Sequence, residues 1–168
     1  MACNYIVSDL FGGRGMSGRK QTGPDPLLLE NQACFPLYAA TNLLQRLYRP
    51  LLSPLGLTYS QYLVMLVLWE REAVQVGELQ RRLHLDTGTI TPLLKRMEAA
   101  GLVTRRRDAA DERRVRVQAT DHGVALEAVA ANIPFALARQ VSMSEADGLR
   151  LHQLSTQLVR TLSSLAHA

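Results

Sequence analysis

The chain has 168 residues, 47% of them hydrophobic, and a formal net charge of +4. That is enough for one domain with a core, and the basic balance favours an acidic partner such as nucleic acid. No run reaches the roughly 18 consecutive apolar residues of a membrane span, and no basic region leads into an apolar one at the start, so a non-membrane, cytoplasmic protein is expected. Cys3 and Cys34 are too few for a disulfide scaffold and lack metal-ligand spacing. His84, His122, His152 and His167 are scattered, so neither a metal nor a cofactor is expected.

In chain order, residues 1–26 hold Gly12, Gly13, Gly15, Gly18, Gly23, Pro24 and Pro26, the composition of a mobile tail, and Met16 offers an alternative start. Residues 27–168 then read as one domain. Helical patterning runs from Leu27 through Tyr48 and again from Ser60 to Arg71, where Tyr62, Leu63, Leu66 and Trp69 are expected to face inward.

The segment from about 74 to 119 carries the strongest pattern. Val76, Leu79 and Leu83 fall at helical spacing on a short helix that ends near His84 and Leu85. Asp86 and Thr87 are good N-cap residues for a second helix, and Gly101 is its C-terminal stop. On that helix Ile90, Leu93, Leu94 and Met97 form one apolar stripe, while Gly88, Thr91, Pro92 and Lys95 face away from it. Small and polar residues with a cation suit a major groove, so this pair reads as a helix-turn-helix. Pro92 fits best at the first helical position after a Thr91 cap; otherwise it lies inside a helix that starts nearer Thr87.

After Gly101 the period becomes two. Leu102 to Thr104 opens one strand, and Val115, Val117 and Ala119 alternate with Arg114, Arg116 and Gln118 in another. Between Arg105 and Arg116 lie six arginines and three carboxylates, Asp108, Asp111 and Glu112, a local excess of three positive charges able to meet phosphate or enter a minor groove. An Arg-rich hairpin alone is more often merely solvated; one placed directly after a helix-turn-helix reads as a wing. The predicted DNA-contacting set is Thr87, Gly88, Thr89, Thr91 and Lys95 in the major groove and Arg113 in the minor groove. Asp111 is expected to orient the Arg113 guanidinium, with Arg114 beside it.

Thr120 and Asp121 can cap a helix running to Ile133, with Pro134 marking a break. Ser144 to Asp147 starts a last helix bearing Leu151, Leu154, Leu158, Leu162 and Leu165. These leucines, with Leu28, Leu37, Leu43, Leu44 and Leu47, suit a two-fold dimer interface that pairs two reading helices one duplex turn apart; their spacing equally allows an intramolecular core. The expected fold is mainly α with a small β-hairpin, a winged helix-turn-helix flanked by N- and C-terminal dimerisation helices.

Several motifs together resemble the MarR family, in its organic-hydroperoxide-sensing OhrR branch: Leu29 to Phe35, Tyr38, Tyr48 to Leu52, Leu57 to Tyr62, Leu68 to Glu70, Leu85 to Thr89 and Asp111 to Arg113. The resemblance runs from about Leu27 to the C-terminus. The cysteine-containing motif is specific to that branch, whereas Asp111-x-Arg113 is shared more widely. It implies a homodimeric repressor, not an enzyme, that binds an inverted-repeat operator in double-stranded DNA and leaves it when a cysteine near the first helix is oxidised by an organic hydroperoxide. It also implies that two Tyr hydroxyls reach that cysteine from the partner subunit.

The residues permit this chemistry. Cys34 and Tyr38 are i and i+4, and Tyr48, fourteen residues beyond Cys34, returns to nearly the same side of a continuing helix. Phenols can donate to a thiolate, the form that attacks a peroxide. Nothing from Thr120 onward supplies the second, resolving cysteine of some family members, so the oxidised Cys34 is expected to be capped by a small cellular thiol, or overoxidised, and not closed into an intersubunit disulfide. Two other functions use the same residues. A non-redox repressor of the same family would respond to a small aromatic ligand, with Cys34 as packing. A thiol peroxidase would need a base or cation near Cys34, and neither His nor Arg lies close in sequence.

Overall fold

The computed structural model describes residues 25, 27–108, 111 and 114–166. The expected mobile tail, Met16, Cys3, Glu112 and Arg113 lie outside the described residues, apart from Asp25 of the tail. Two compact units divide the chain, Met1–Pro50 and Leu51–Ala168.

In the first unit a short 3-10 turn, Leu29–Asn31, precedes α1, Phe35–Leu52, whose last two residues belong to the second. The expected helix from Leu27 therefore starts later. Cys34 stands immediately before α1, and its carbonyl accepts the Tyr38 N–H at 3.1 Å, as a residue at the helix N-terminus does. Leu28, Leu37, Leu43, Leu44 and Leu47 are all exposed.

In the second unit α2, Tyr59–Trp69, begins with a reciprocal capping box. Thr58 accepts the Gln61 N–H, and the Gln61 side chain accepts the Thr58 N–H at 2.8 Å. Tyr62, Val64, Met65, Val67 and Leu68 are buried, so α2 is the core helix and is apolar nearly all round. Leu66, expected inward, is exposed instead, because the core closes around the 64–65 and 67–68 pairs. After β1, Val74–Gln75, come α3, Val76–Leu83, and α4, Thr87–Ala99. The turn between them passes through His84, which adopts a left-handed φ of 52° and ends α3. Ile90, Leu93, Leu94 and Met97 are buried as the stripe predicts.

Pro92 lies inside α4, with Asp86 as the cap; the alternative with Thr91 as cap and Pro92 first is not adopted. An earlier start gives the helix a good cap and one more turn, which offsets the single backbone bond that proline removes. At the other end Gly101, φ 69°, closes the helix. Its N–H reaches the Glu98 carbonyl and the Leu102 N–H reaches that of Met97, both at 3.0 Å, a pattern that needs the left-handed residue.

The hairpin forms as β2, Val103–Arg107, and β3, Val115–Ala119, with Val103 opposite Ala119 and Arg107 opposite Val115. It is wider than the sequence indicates. β1 pairs antiparallel with β3, Val74 opposite Val117, giving the order β1-β3-β2. A two-residue strand has too little alternation to be read locally.

Thr120 caps α5, Asp121–Ala130, which ends sooner than expected; Pro134 lies in the first turn of α6, Ile133–Val141, where its missing N–H costs no helical bond. The last helix, α7, spans Glu145–Ala166 and is capped by Ser144, whose hydroxyl oxygen accepts the Asp147 N–H at 3.1 Å. Together α5 and α6 have the length and apolar content of one membrane crossing, mostly exposed. The chain breaks between them, and Glu127 and Arg139 interrupt the apolar run.

A clasp joins α2, the end of α4 and the start of α5. Trp69 Nε1 donates to the Gly123 carbonyl at 3.0 Å, the Thr120 N–H to that of Leu102 at 3.1 Å, and the Thr120 hydroxyl to that of Gly101. A Cβ on Gly123 would overlap the Leu102 carbonyl oxygen. Gly123→Ala is therefore expected to destabilise the protein by about 3 kcal/mol in a denaturant melt, since the obstacle is backbone. Gly148, helical and with open space around it, is the control: Gly148→Ala is expected to stabilise by roughly 0.5–1 kcal/mol.

Candidate functional site

The turn between α3 and α4 is held by side chains. Asp86 accepts the Thr89 N–H at Oδ1 and the Thr89 hydroxyl at Oδ2, both at 2.8 Å. Those hydrogen bonds, the hydroxyl's foremost, hold its carboxyl below the usual carboxylate range. Gln80 on α3 donates from Nε2 to Thr87 Oγ1 at 2.8 Å, linking the two helices across the turn. Gly88 has a second role beside the small size expected of a groove face. A Cβ there would stand 3.0 Å from Asp86 Oδ1 and press on the cap.

With the apolar stripe buried, the remaining face of α4 is open. Thr87, Gly88, Thr89, Pro92 and Lys95 are exposed and Thr91 is half-buried, so these residues form one continuous outward surface.

The wing next to it is less free than its arginine count suggests. Arg105 is engaged by Glu98 of α4: its Nε and Nη2 donate to Oε2 at 2.9 and 2.6 Å, and its backbone N–H donates to Oε1 at 3.1 Å. The Arg105 guanidinium holds the Glu98 carboxyl below its ordinary range. Arg114 pairs with Asp111 at 3.1 Å and Arg116 with Asp108 at 3.7 Å. Three of the six arginines counted in the sequence, Arg105, Arg114 and Arg116, thus answer carboxylates within the protein, and one of those carboxylates, Glu98, lies outside the hairpin. Arg106 and Arg107 remain exposed, and Arg106 stands directly across the ladder from Arg116. The expected partner of Asp111, Arg113, lies outside the described residues; Asp111 itself holds Arg114. Neither Gln80 nor Glu98 stands out in the sequence, since each acts on a residue seven positions away across a turn.

The second group is around Cys34. The thiol is exposed at the N-terminus of α1, where the first-turn amides and the positive end of the helix dipole lie. Tyr38 is one turn along and 68% exposed. Tyr48 is half-buried on the same helix, and fourteen residues at helical rise set it roughly 20 Å from Cys34. Within one chain Tyr48 cannot touch the sulfur. Among the described residues no group of His, Cys, Asp and Glu forms a metal site.

Comparison with known proteins places these features in context. A family model described as transcriptional regulator SarA/Rot matches residues 46–127. The chain is 43% identical over 141 residues to the organic hydroperoxide resistance transcriptional regulator of Bacillus subtilis, covering 84% of this chain and 94% of that protein. It is 52% identical over 117 residues to the HTH-type transcriptional regulator TtmR of Methylorubrum extorquens, covering 69% of this chain and 60% of that one. Among solved structures, reduced AbfR bound to DNA matches with a TM-score of 0.68 and 31% identity, over 83% of this chain and 96% of that one.

The Glu98–Arg105 pair gives a pH signature. Its carboxyl is depressed in the folded state, so its stabilising contribution is present above the ordinary carboxylate pKa and is lost as pH falls through the folded value. Glu98→Gln is expected to melt at a lower temperature than wild type at neutral pH, with the gap narrowing as pH falls below the ordinary carboxylate range. A gap of equal size throughout would mean that the carboxylate's charge contributes nothing.

Proposed function

The chain belongs to the MarR family of winged-helix transcriptional regulators and is related there to regulators of organic hydroperoxide resistance; from that premise we propose a homodimeric repressor that reads an inverted-repeat operator and releases it when an organic hydroperoxide oxidises Cys34. Its relatives are regulators, and it is not an enzyme. The observation that carries the redox reading is the position of Cys34: at the N-terminus of α1, one turn from Tyr38, with its thiol uncovered by its own chain.

The DNA-reading part has its own support. Thr87, Gly88, Thr89, Thr91 and Lys95 would meet base edges in the major groove, and the exposed wing arginines would meet phosphate. Dimerisation is supported by the apolar surface that a single chain leaves uncovered. Leu37 and Leu43 on α1 and Leu151, Leu154, Leu162 and Leu165 on α7 are all about half exposed or more, and surfaces of this kind are normally covered by a protein partner. A second copy also resolves the distance between Cys34 and Tyr48. Two α1 helices running antiparallel bring the phenol near the far end of one to the cysteine at the start of the other.

In the proposed switch the Cys34 thiolate attacks the terminal peroxide oxygen. The O–O bond breaks, an S–O bond forms, and the alkoxide leaves and takes a proton to become an alcohol. Sulfur is oxidised by two electrons to a sulfenic acid. A small cellular thiol then displaces water and leaves a mixed disulfide. Tyr38 and Tyr48 would donate to the thiolate, and the added bulk at an interface between subunits would shift the reading helices relative to half-sites one turn apart. A loss of about 3 kcal/mol lowers affinity more than a hundredfold.

Operator binding measured before and after cumene hydroperoxide, with a small thiol present, tests this. Cys34→Ser is expected to bind DNA and ignore the peroxide, while Tyr48→Phe reacts more slowly. Release that persists in Cys34→Ser would overturn the redox mechanism and favour release by a small aromatic ligand. Arg113→Ala is expected to weaken binding strongly across a salt titration and lower the slope by about one, with the dimer intact.

A further inference from the structure

The two hydroxyls at the head of α4 differ in which hydrogen-bonding role they have left. Thr89 Oγ1 lies 2.8 Å from Asp86 Oδ2, and an ionised carboxylate can only accept, so Thr89 must donate to it. Its hydrogen is engaged. What it presents outward is lone pairs and a methyl group. Thr87 Oγ1 instead receives the Nε2–H of Gln80 at 2.8 Å, which occupies one of its two lone pairs and leaves its own hydrogen free to donate away from the turn. Both residues are exposed on the same face of the helix.

We propose that this wiring gives the neighbouring threonines different hydrogen-bond character, Thr87 keeping a donor and Thr89 left with acceptors only, and that Gln80 and Asp86 thereby act as positioning residues for base specificity. The inference rests on the proposed major-groove placement of α4. There the donor edges are cytosine N4 and adenine N6, and the acceptor edges are guanine N7 and O6, adenine N7 and thymine O4. Thr89 accordingly selects cytosine or adenine at the base it meets, and Thr87 selects against cytosine, the one base without an acceptor edge. A freely rotating hydroxyl would accept either kind of edge and discriminate little. Asp86 then has a reason to stand near a polyanion despite its charge: it caps the helix and sets the sense of Thr89.

Two conservative variants reverse the polarity one residue at a time. In Gln80→Glu the new carboxylate takes the Thr87 hydrogen, turning the outward oxygen from donor to acceptor. In Asp86→Asn the amide oxygen keeps the cap, since Asn caps helices as well as Asp, and the amide N–H donates to Thr89 and frees its hydrogen outward. The experiment selects duplexes bound by the reduced full-length protein from a pool randomised across the half-site, then sequences them. Thermal melts of the same variants establish that each is folded.

Wild type is expected to show one position that disfavours cytosine and one preferring cytosine or adenine. Gln80→Glu should turn the first only into a preference for cytosine or adenine, and Asp86→Asn the second only into discrimination against cytosine, each by about fivefold, the worth of one hydrogen bond. Folded variants that bind more weakly with unchanged base preferences would overturn the wiring. Thr91→Val and Lys95→Ala are selected in parallel. If their base preferences change while those of Gln80→Glu and Asp86→Asn do not, only the wiring is wrong. If none of the four changes any preference, α4 does not read the major groove, and the placement beneath the inference falls with it.

Discussion

The structure depends on the burial of one stripe of α4. Ile90, Leu93, Leu94 and Met97 are almost completely removed from water, on a helix that packs against α3 and the core helix α2. Each such side chain contributes about 1.5–3 kcal/mol of burial free energy, so rotating α4 about its axis would forfeit several such contributions at once. The rotation of the helix is therefore settled by its apolar side, and the polar residues opposite are presented outward as a consequence. The caps and the inter-helix bond from Gln80 then act locally, setting where the helix begins and which way its first hydroxyls point.

The two ends of α4 are anchored differently. At its start the hold is polar and exposed, through Asp86 and Gln80. At its end it is a backbone turn through Gly101 and the clasp of Thr120, Gly123 and Trp69, with Glu98 reaching on to Arg105 of the wing. The reading helix and the wing are thereby joined by short connections, and a displacement of one carries the other. That coupling suits a regulator in which both must meet the same duplex, because phosphate contacts fix the register in which bases are read.

Charge in the wing is organised rather than merely abundant. Arg105, Arg114 and Arg116 each face a carboxylate, which lowers the repulsion of a crowded hairpin and orients the strands. Exposed pairs of this kind contribute little to stability, so their effect is chiefly geometric. The apolar helices tell the opposite story. Residues such as Leu154, Phe135 and Leu165 stay exposed in a single chain, apolar surface of the kind that a protein partner normally covers.

The helix α4, its apolar stripe, the Asp86 cap, the Gly101 stop and the β-hairpin were all legible in the amino-acid sequence, because helical and strand periodicity and capping chemistry are local. The family was legible too, from motifs around Cys34 and the wing, and the comparisons bear it out. Tertiary structure alone decided the rest. It placed Pro92 inside α4, turned Leu66 outward, added β1 to the sheet, and drew Arg105 to Glu98 and Thr87 to Gln80. Each of these depends on which of several equally suitable neighbours a folded backbone brings within hydrogen-bond or van der Waals reach, and a one-dimensional pattern carries no information about that distance.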